Sequence, residues 1–183
     1  MLDVDAIWTP SVQQQNYRAL LEAISRPGMV KPLHTTQGGQ AATAILATLL
    51  DAEVSLADMH DLLDASDWPM LQASSGVLEE ADYVFCDGSR CQAFQPKLGS
   101  LPSPEQSATL IIKVDSVKRG GLRLRLSGPG VNGNTHCAIT GLDPDWLSQR
   151  ENWVAAFPLG VDLFLVDDSD VVALPRTTKV EVC

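Results

Sequence analysis

The sequence has few of the features that mark membrane, secreted and metal-binding proteins. Its longest apolar run, residues 41–50, is ten residues long and contains threonines, so it is too short to span a bilayer as a helix. The first five residues contain two aspartates and no lysine or arginine, whereas a secretory signal peptide begins with basic residues. The four cysteines include no C-x₂-C pair, and we therefore expect reduced thiols, no metal and a cytoplasmic protein without a membrane segment.

Catalytic motifs are equally scarce. The sequence contains no phosphate-binding P-loop, no nucleophile elbow and no zinc-protease motif. The three histidines, His34, His60 and His136, are scattered, and each is more typical of a core or surface residue than of a catalytic base. His136 precedes Cys137, but neighbours on a strand point to opposite faces, which opposes a nucleophile–base pair. The residues alone thus indicate no catalytic constellation.

A glycine-rich segment at residues 128–133 matches the G-x-G-x-x-G pattern of dinucleotide-binding proteins. No helical pattern follows it, and Pro129 lacks an amide donor, so the phosphate-binding helix N-terminus is missing. The segment therefore predicts a turn between strands. Its backbone amides still offer contacts to an anion, because Arg123 and Arg125 precede it on one face of a predicted strand.

Length, composition and charge narrow the class of protein. The chain has 183 residues, 45% of them hydrophobic and 20% charged, which predicts one globular domain over residues 1–183 that buries about 70% of its surface. The net charge of −10 disfavours binding to nucleic acid. Charge is nonetheless segregated: residues 51–87 hold ten carboxylates and no lysine or arginine, and residues 88–125 hold seven basic residues against two acidic ones.

The hydrophobic periodicity predicts a mixed α/β fold, with a sheet flanked by helices. A helix over residues 11–25 carries an apolar stripe of Tyr17, Leu20, Leu21 and Ile24, begins at a Ser11 capping box or at Thr9-Pro10, and is stopped by Pro27-Gly28. We expect further helices at about 40–50, 67–74 and 143–157, strands at 54–56 and 83–85, a hairpin of 110–114 with 122–126, paired strands 161–166 and 171–174, and an edge strand at 178–183. Replacement of Leu21 or Trp153 by alanine is expected to cost roughly 2–5 kcal/mol.

The predicted strand around residue 124 has two different faces. Arg123 and Arg125 project from one face, and the leucines at 122, 124 and 126 project from the other, towards the core. Two interpretations of the arginines remain open at this point. They bind an acidic partner or a phosphorylated ligand, or they pair with the abundant carboxylates of the same chain.

Four blocks of this sequence are similar to the family of the H subunit of the bacterial carbon–phosphorus lyase system. The similarity covers essentially the whole chain, and the C-terminal block is its most specific part. One departure is Tyr17, where the family would have phenylalanine. The blocks are Ser25-Arg-Pro-Gly28, residues 124–131, residues 157–163 and residues 174–183.

The resemblance implies a fold similar to the large domain of pyridoxal-phosphate transferases, but without the cofactor or its lysine. None of the five lysines here lies in an apolar sequence setting that would suit a Schiff base. The resemblance also implies a core complex with the G, I and J subunits. That complex transfers a phosphonate onto the ribosyl carbon of ATP with loss of adenine. For the isolated subunit, the resemblance implies a possible homodimer.

Two functions therefore compete. The first is a structural subunit of the phosphonate-processing complex, with no cofactor and no active site of its own. The second is a catalytic or nucleotide-binding subunit whose basic strand contacts triphosphate or phosphonate. The candidate ligand- or partner-binding residues are the same for both: Arg123, Arg125, Gly128, Gly130, Arg176 and Thr177.

Overall fold

The computed structural model describes residues 6–35 and 41–183. Its helices are α1 (Pro10–Ser25), α2 (Ala41–Leu49), α3 (Trp68–Leu71) and α4 (Asp145–Val154), with 3₁₀ turns at Ala6–Trp8 and Pro104–Gln106. Its strands are β1 (Lys31–Pro32), β2 (Ser55–Asp58), β3 (Ser74–Ser75), β4 (Tyr83–Asp87), β5 (Thr109–Lys113), β6 (Leu122–Ser127), β7 (Thr135–Ile139), β8 (Asp162–Val166), β9 (Asp170–Leu174) and β10 (Lys179–Val182). The predicted α/β class with a mixed sheet is confirmed.

Seven strands form the large sheet, in the order β1-β9-β8-β5-β4-β2-β3. Strands β2, β3, β4, β5 and β8 run parallel, and β9 returns antiparallel to β8. Leu20 of α1, Ile45 of α2 and Leu71 of α3 pack with Phe85 and Ile111 on one face of the sheet. The opposite face packs against α4 and a second sheet through a core that includes Ile112, Leu124, Leu126, Trp146 and Trp153.

The second, small sheet has three antiparallel strands in the order β10-β6-β7. Leu124 and Leu126 are fully buried beneath it, whereas Arg123 and Arg125 are exposed on its outer side. The two-faced strand predicted here is confirmed, and β10 is the edge strand that the sequence pattern predicts.

Helix α1 begins at Pro10 after Thr9 and ends before Pro27-Gly28, where Gly28 adopts a φ of +83°. The predicted apolar stripe is partly wrong, because Tyr17 and Leu21 are 53% and 54% exposed. The buried face instead runs through Asn16, Leu20 and Ala23. The Asn16 side chain exchanges two hydrogen bonds with the backbone of His34, so a polar residue occupies a position that hydropathy assigns to solvent.

The predicted hairpin of residues 110–114 with 122–126 is wrong. Strand β5 already has parallel neighbours on both edges, β4 and β8, so no edge remains for β6. The chain after β5 crosses to the second layer, where the Val117 amide donates to the buried Asp167 carboxylate, and β6 then pairs with β7 and β10.

The remaining predicted elements are present with different ends, whereas the short strands β1 and β3 were not predicted. Strands β8 and β9 pair across residues 167–170 as predicted. Helix α3 is shorter than expected because Gln72 adopts a left-handed conformation with φ of +61°. Trp146 and Trp153 of α4 are buried, but Phe157 lies beyond the helix and is 67% exposed. No helix within residues 6–35 and 41–183 is long and apolar enough to cross a membrane.

Candidate functional site

The outer side of the small sheet carries the two arginines of β6 that the sequence analysis singled out, together with His136 and Lys179. The antiparallel register places Arg125 between His136 of β7 and Glu181 of β10, and Arg123 beside Ala138. Lys179 pairs with Ser127 two residues further along the same side. These side chains share one side because alternate residues of paired strands point the same way. We call the residues Arg123, Arg125, His136 and Lys179 the basic face.

Two of the neighbouring basic residues pair with carboxylates of the same chain. Arg125 donates from Nε to Glu181 Oε2 at 2.8 Å and forms an ion pair with it through Nη2. That hydrogen bond, and the charge of Glu181, raise the pKa of Arg125 above its ordinary value. Lys118 Nζ lies 2.6 Å from Oδ2 of the buried Asp170. The positive charges of Arg125 and Lys118 are therefore balanced by carboxylates of the same chain.

Arg123 differs from these two. Among residues 6–35 and 41–183 no carboxylate forms an ion pair with it. It lines an open cavity of about 540 Å³ together with Lys118, His136 and Cys183. A free guanidinium beside a histidine and a second cation is chemically suited to an anion, whether carboxylate or phosphate.

Cys137 also borders this cavity but is not arranged as a nucleophile. Its thiol is largely buried, which raises its pKa to about 11, so it stays protonated at neutral pH. The adjacent His136 points to the exposed side of β7, whereas Cys137 points to the core. The prediction that His136 and Cys137 point to opposite faces of the strand is therefore confirmed.

The two glycines proposed as binding residues allow close packing of the β6–β7 loop. A Cβ on Gly130, whose φ is +80°, would lie 2.3 Å from the carbonyl oxygen of Ser25. A Cβ on Gly128 would lie 2.9 Å from the carbonyl oxygen of Thr177. The loop therefore packs against the end of α1 and against the segment before β10, and a β-strand rather than a helix follows it.

All three guanidinium nitrogens of Arg176 donate hydrogen bonds within the chain. It donates from Nη2 to Asp162 Oδ2 at 2.6 Å and to Ser107 Oγ at 2.6 Å, and from Nη1 to the carbonyl oxygens of Pro104 and Pro158. These bonds hold the segment after β9 against two surface loops. Arg176 and the exposed Thr177 line a different cavity from Arg123, so the predicted site residues fall into two places.

This second cavity, of about 760 Å³, separates α4 from β10, and the sequence analysis missed its central residue. Arg150 is only 3% exposed, and its Nη2 donates to the carbonyl oxygens of Pro175 at 2.5 Å and Thr178 at 3.0 Å. Burial lowers its pKa to about 10, although the charge of Asp162 acts in the opposite direction. The sequence does contain a signal for the burial of Arg150. This residue lies four positions after Trp146 and three before Trp153, on the buried side of α4.

The described residues contain no group of three or more histidine, cysteine or acidic side chains placed to hold a metal ion. The expectation that the protein binds no metal and no cofactor stays a prediction.

Comparison with known proteins assigns the chain to a family. The model of the family described as bacterial phosphonate metabolism protein (PhnH) matches residues 6–181. The chain is 41% identical over 177 residues, 96% of its length and 89% of the relative's, to a Stutzerimonas stutzeri protein named putative C-P lyase subunit protein HtxG. It is 32% identical over 185 residues, covering 92% of the chain and 90% of the relative, to a Rhizobium meliloti protein named alpha-D-ribose 1-methylphosphonate 5-triphosphate synthase subunit PhnH. On this evidence the chain belongs to the PhnH family of bacterial phosphonate metabolism proteins.

Proposed function

We propose that this protein is a subunit of a carbon–phosphorus lyase complex that breaks down organic phosphonates in the bacterial cytoplasm. The observation that carries the proposal is the 41% identity, over nearly the whole of both chains, to a relative named as a putative subunit of that system. Similarity of that extent over nearly the whole chain preserves the fold. The chain acts as one unit over residues 1–183, because the helical layer and the small sheet pack on opposite faces of the same large sheet.

Its role in the complex is structural, and it assembles with the G, I and J subunits. The basic face supports this role, since Arg123 and Lys179 are exposed and unpaired within the described residues of a protein with a net charge of −10. Such a patch attracts an acidic partner surface and directs its approach. A homodimer of the isolated protein is a further part of this proposal, and sedimentation of the purified chain tests it.

Coexpression tests the proposal. We expect the tagged protein to copurify with the G, I and J subunits in fixed stoichiometry. The double variant Arg123→Glu/Arg125→Glu should fold normally but assemble poorly, because it reverses the charge of the face. Arg18→Glu/Arg26→Glu, with the same charge change at an exposed position of α1 and at the exposed residue that follows it, is the control. Normal assembly of the first double variant would remove the basic face from the proposal, and failure of the wild type to copurify would remove the subunit role.

A second candidate function is contact with the nucleotide or phosphonate substrate. The observation favouring it is the unpaired Arg123 in the cavity that it shares with Lys118 and His136. Calorimetric titration of the isolated protein with ATP and with methylphosphonate distinguishes the two functions. Binding that is lost in Arg123→Gln favours substrate contact. Assembly without such binding favours the structural role.

We also infer a likeness of the fold to the large domain of pyridoxal-phosphate transferases, without the cofactor. The three-layer arrangement around a mainly parallel sheet is compatible with it. The five lysines are all exposed or half-buried, and Lys31, Lys97 and Lys118 are paired with carboxylates, so none lies in an apolar pocket that would suit a Schiff base. Incubation with pyridoxal phosphate should produce no Schiff-base absorbance band.

A further inference from the structure

Among residues 6–35 and 41–183, strand β10 pairs with β6 alone, and its other edge carries no strand. Lys179 is paired with Ser127 and Glu181 with Arg125, and the Cys183 amide donates to the Arg123 carbonyl at 2.9 Å. In an antiparallel ladder, alternate residues direct both backbone groups to the same side. Residues 179, 181 and 183 therefore bond to β6. The N–H and C=O groups of Val180 and Val182 point away from the sheet.

The open edge faces the cavity between β10 and α4. Apolar side chains line the cavity from both elements, Leu147 and Val154 of α4 and Val180 and Val182 of β10, together with charged ones that include Arg150, Glu151 and Lys179. Val182 is 60% exposed and Phe157, which also lines the cavity, is 67% exposed. Open strand edges are usually protected by charge, proline or a covering element. Here the space beside the edge is wide and its walls suit apolar side chains.

Arg150 closes one end of this edge. Its Nη2 donates to the carbonyl oxygen of Thr178, which lies two residues before Val180 and therefore on the same, outward side of the strand. The guanidinium thus takes the place that a donor of an added strand would occupy there. The usable edge runs from Val180 onward, with a buried cation at its beginning.

The charged residues that line the cavity and form no ion pair within the described residues are Arg150, Lys179 and Glu151, so the unpaired charge is positive by one. Glu181 and Arg176, which also line it, are paired with Arg125 and Asp162. The Nε of Arg150 and Oγ1 of Thr178 are buried and have no hydrogen-bond partner in this part of the chain. Burying a charge that forms no ion pair is costly, and the charge of Asp162 offsets the burial of Arg150 only in part, so a further acidic group near Arg150 would be stabilised.

We propose that the groove between β10 and α4 binds an extended segment of another subunit, which adds to the small sheet as a strand beside β10. The segment alternates apolar residues, which pack on Leu147 and Val154, with polar ones, and carries an acidic side chain near Arg150 and Lys179. A strand is the occupant because the outward groups of Val180 and Val182 repeat every two residues, about 6.8 Å apart, which a helix does not match. This inference rests on the proposed subunit function.

Amide hydrogen exchange in the coexpressed complex tests it directly. In the free protein, the amides of Val180 and Val182 should exchange fast, whereas that of Glu181 is protected by β6. In the complex with the G, I and J subunits, exchange at Val180 and Val182 should slow by about tenfold or more. Protection that appears in the free protein at raised concentration would assign the groove to a second copy and overturn the proposal.

A proline variant provides the second measurement. Val182→Pro removes an outward N–H that β6 does not use, so the small sheet should stay intact while strand addition is blocked. Val182→Ala keeps the N–H and is the matched control. We expect copurification of the G, I and J subunits to fall about tenfold for the proline variant and little for the alanine variant. Lys179→Glu should also weaken copurification, and more than Lys179→Gln.

The outcomes separate this inference from the function on which it rests. A wild-type complex with fast exchange at Val180 and Val182 overturns the strand addition and leaves the subunit role in place. Failure of the wild type to copurify overturns both. If Val182→Pro unfolds, as shown by its melting temperature, the exchange measurement on the wild-type complex decides alone.

Discussion

The two sheets of this protein bury similar residues in different ways. All five residues of β9 are buried, and β4, β5 and β8 each bury at least three consecutive residues, because the large sheet is covered on both faces. In β6 of the small sheet, buried leucines alternate with exposed arginines, because only one side meets the core. Parallel strands in a sheet covered on both faces have continuous apolar sequences. Antiparallel strands with one solvent-exposed face alternate apolar and polar residues.

The difference determines where a binding surface can lie. A strand buried on both sides has no position for a free charge, and the buried Asp170 at the start of β9 is compensated by Lys118 and by the Ser169 hydroxyl. The small sheet has a whole face available, and the unpaired Arg123 lies there. The large sheet therefore stabilises the fold, and the small sheet presents the groups that a partner can reach.

The largest expected effect separates the two sheets by stability. Ile111 is fully buried in the centre of the large sheet, so Ile111→Ala should lower the free energy of unfolding by roughly 2–5 kcal/mol through the cavity it leaves. Val182→Ala, at an exposed position of the small sheet, should change it by less than about 0.5 kcal/mol. Urea denaturation of both variants measures this. Equal losses of unfolding free energy in the two variants would contradict the conclusion that the large sheet stabilises the fold and the small sheet provides the binding surface.

The next effect compares two arginines that both pair with a carboxylate. Arg176 is mostly buried and makes bonds to Asp162, Ser107 and two carbonyl oxygens, so Arg176→Ala should cost about 2–3 kcal/mol, since bonds to charged groups are strong and their partners stay buried. Arg125→Ala, at an exposed pair with Glu181, should leave the denaturation midpoint unchanged. A large loss for Arg125→Ala would show that the basic face is a structural network rather than a free surface.

A smaller effect concerns the carboxyl edge of the large sheet. His60 accepts a hydrogen bond on Nδ1 from the Asp87 amide, and its partial burial, with the nearby charge of Arg90, lowers its pKa below the ordinary value. The unfolded chain then takes up a proton that the folded one does not, so stability falls as the pH drops below about 6.5. Between pH 7.5 and 5.5, the wild type should lose more stability than His60→Gln in urea titrations. His136→Gln on the small sheet is the control, and equal losses for wild type and His60→Gln would contradict the assignment.

The smallest effect tests the corrected face of α1. Leu21 is 54% exposed, so Leu21→Ala should change the free energy of unfolding by no more than about 0.5 kcal/mol instead of the roughly 2–5 kcal/mol that the hydrophobic stripe predicts. Leu20→Ala, at the adjacent buried position, is the control and should be clearly destabilised. A severe loss at Leu21 would restore the original stripe.

Local pattern predicts most elements of this fold but not which strands pair. The Thr9-Pro10 start of α1, the Pro27-Gly28 stop and the β8–β9 pairing depend on neighbouring residues and were predictable. The predicted hairpin of β5 with β6 was wrong, because glycines and a short separation favour pairing only when both strands have a free edge. At the candidate site, the shared face of Arg123 and Arg125 followed from the two-residue repeat, whereas the pairing of Arg125 with Glu181 needed two segments far apart in the chain.

The sequence by itself determined the elements, the two-faced β6 and membership of the PhnH family, because periodicity, turn residues and family motifs are local properties of the chain. Only the tertiary structure decided which charges are free. Arg176 is enclosed by two loops and Arg150 is buried against Thr178, while Arg123 forms no ion pair within the described residues. Residue type is the same in all three cases. The free energy of an ionised side chain depends on the solvent and the charges around it, and these are set when distant segments pack together.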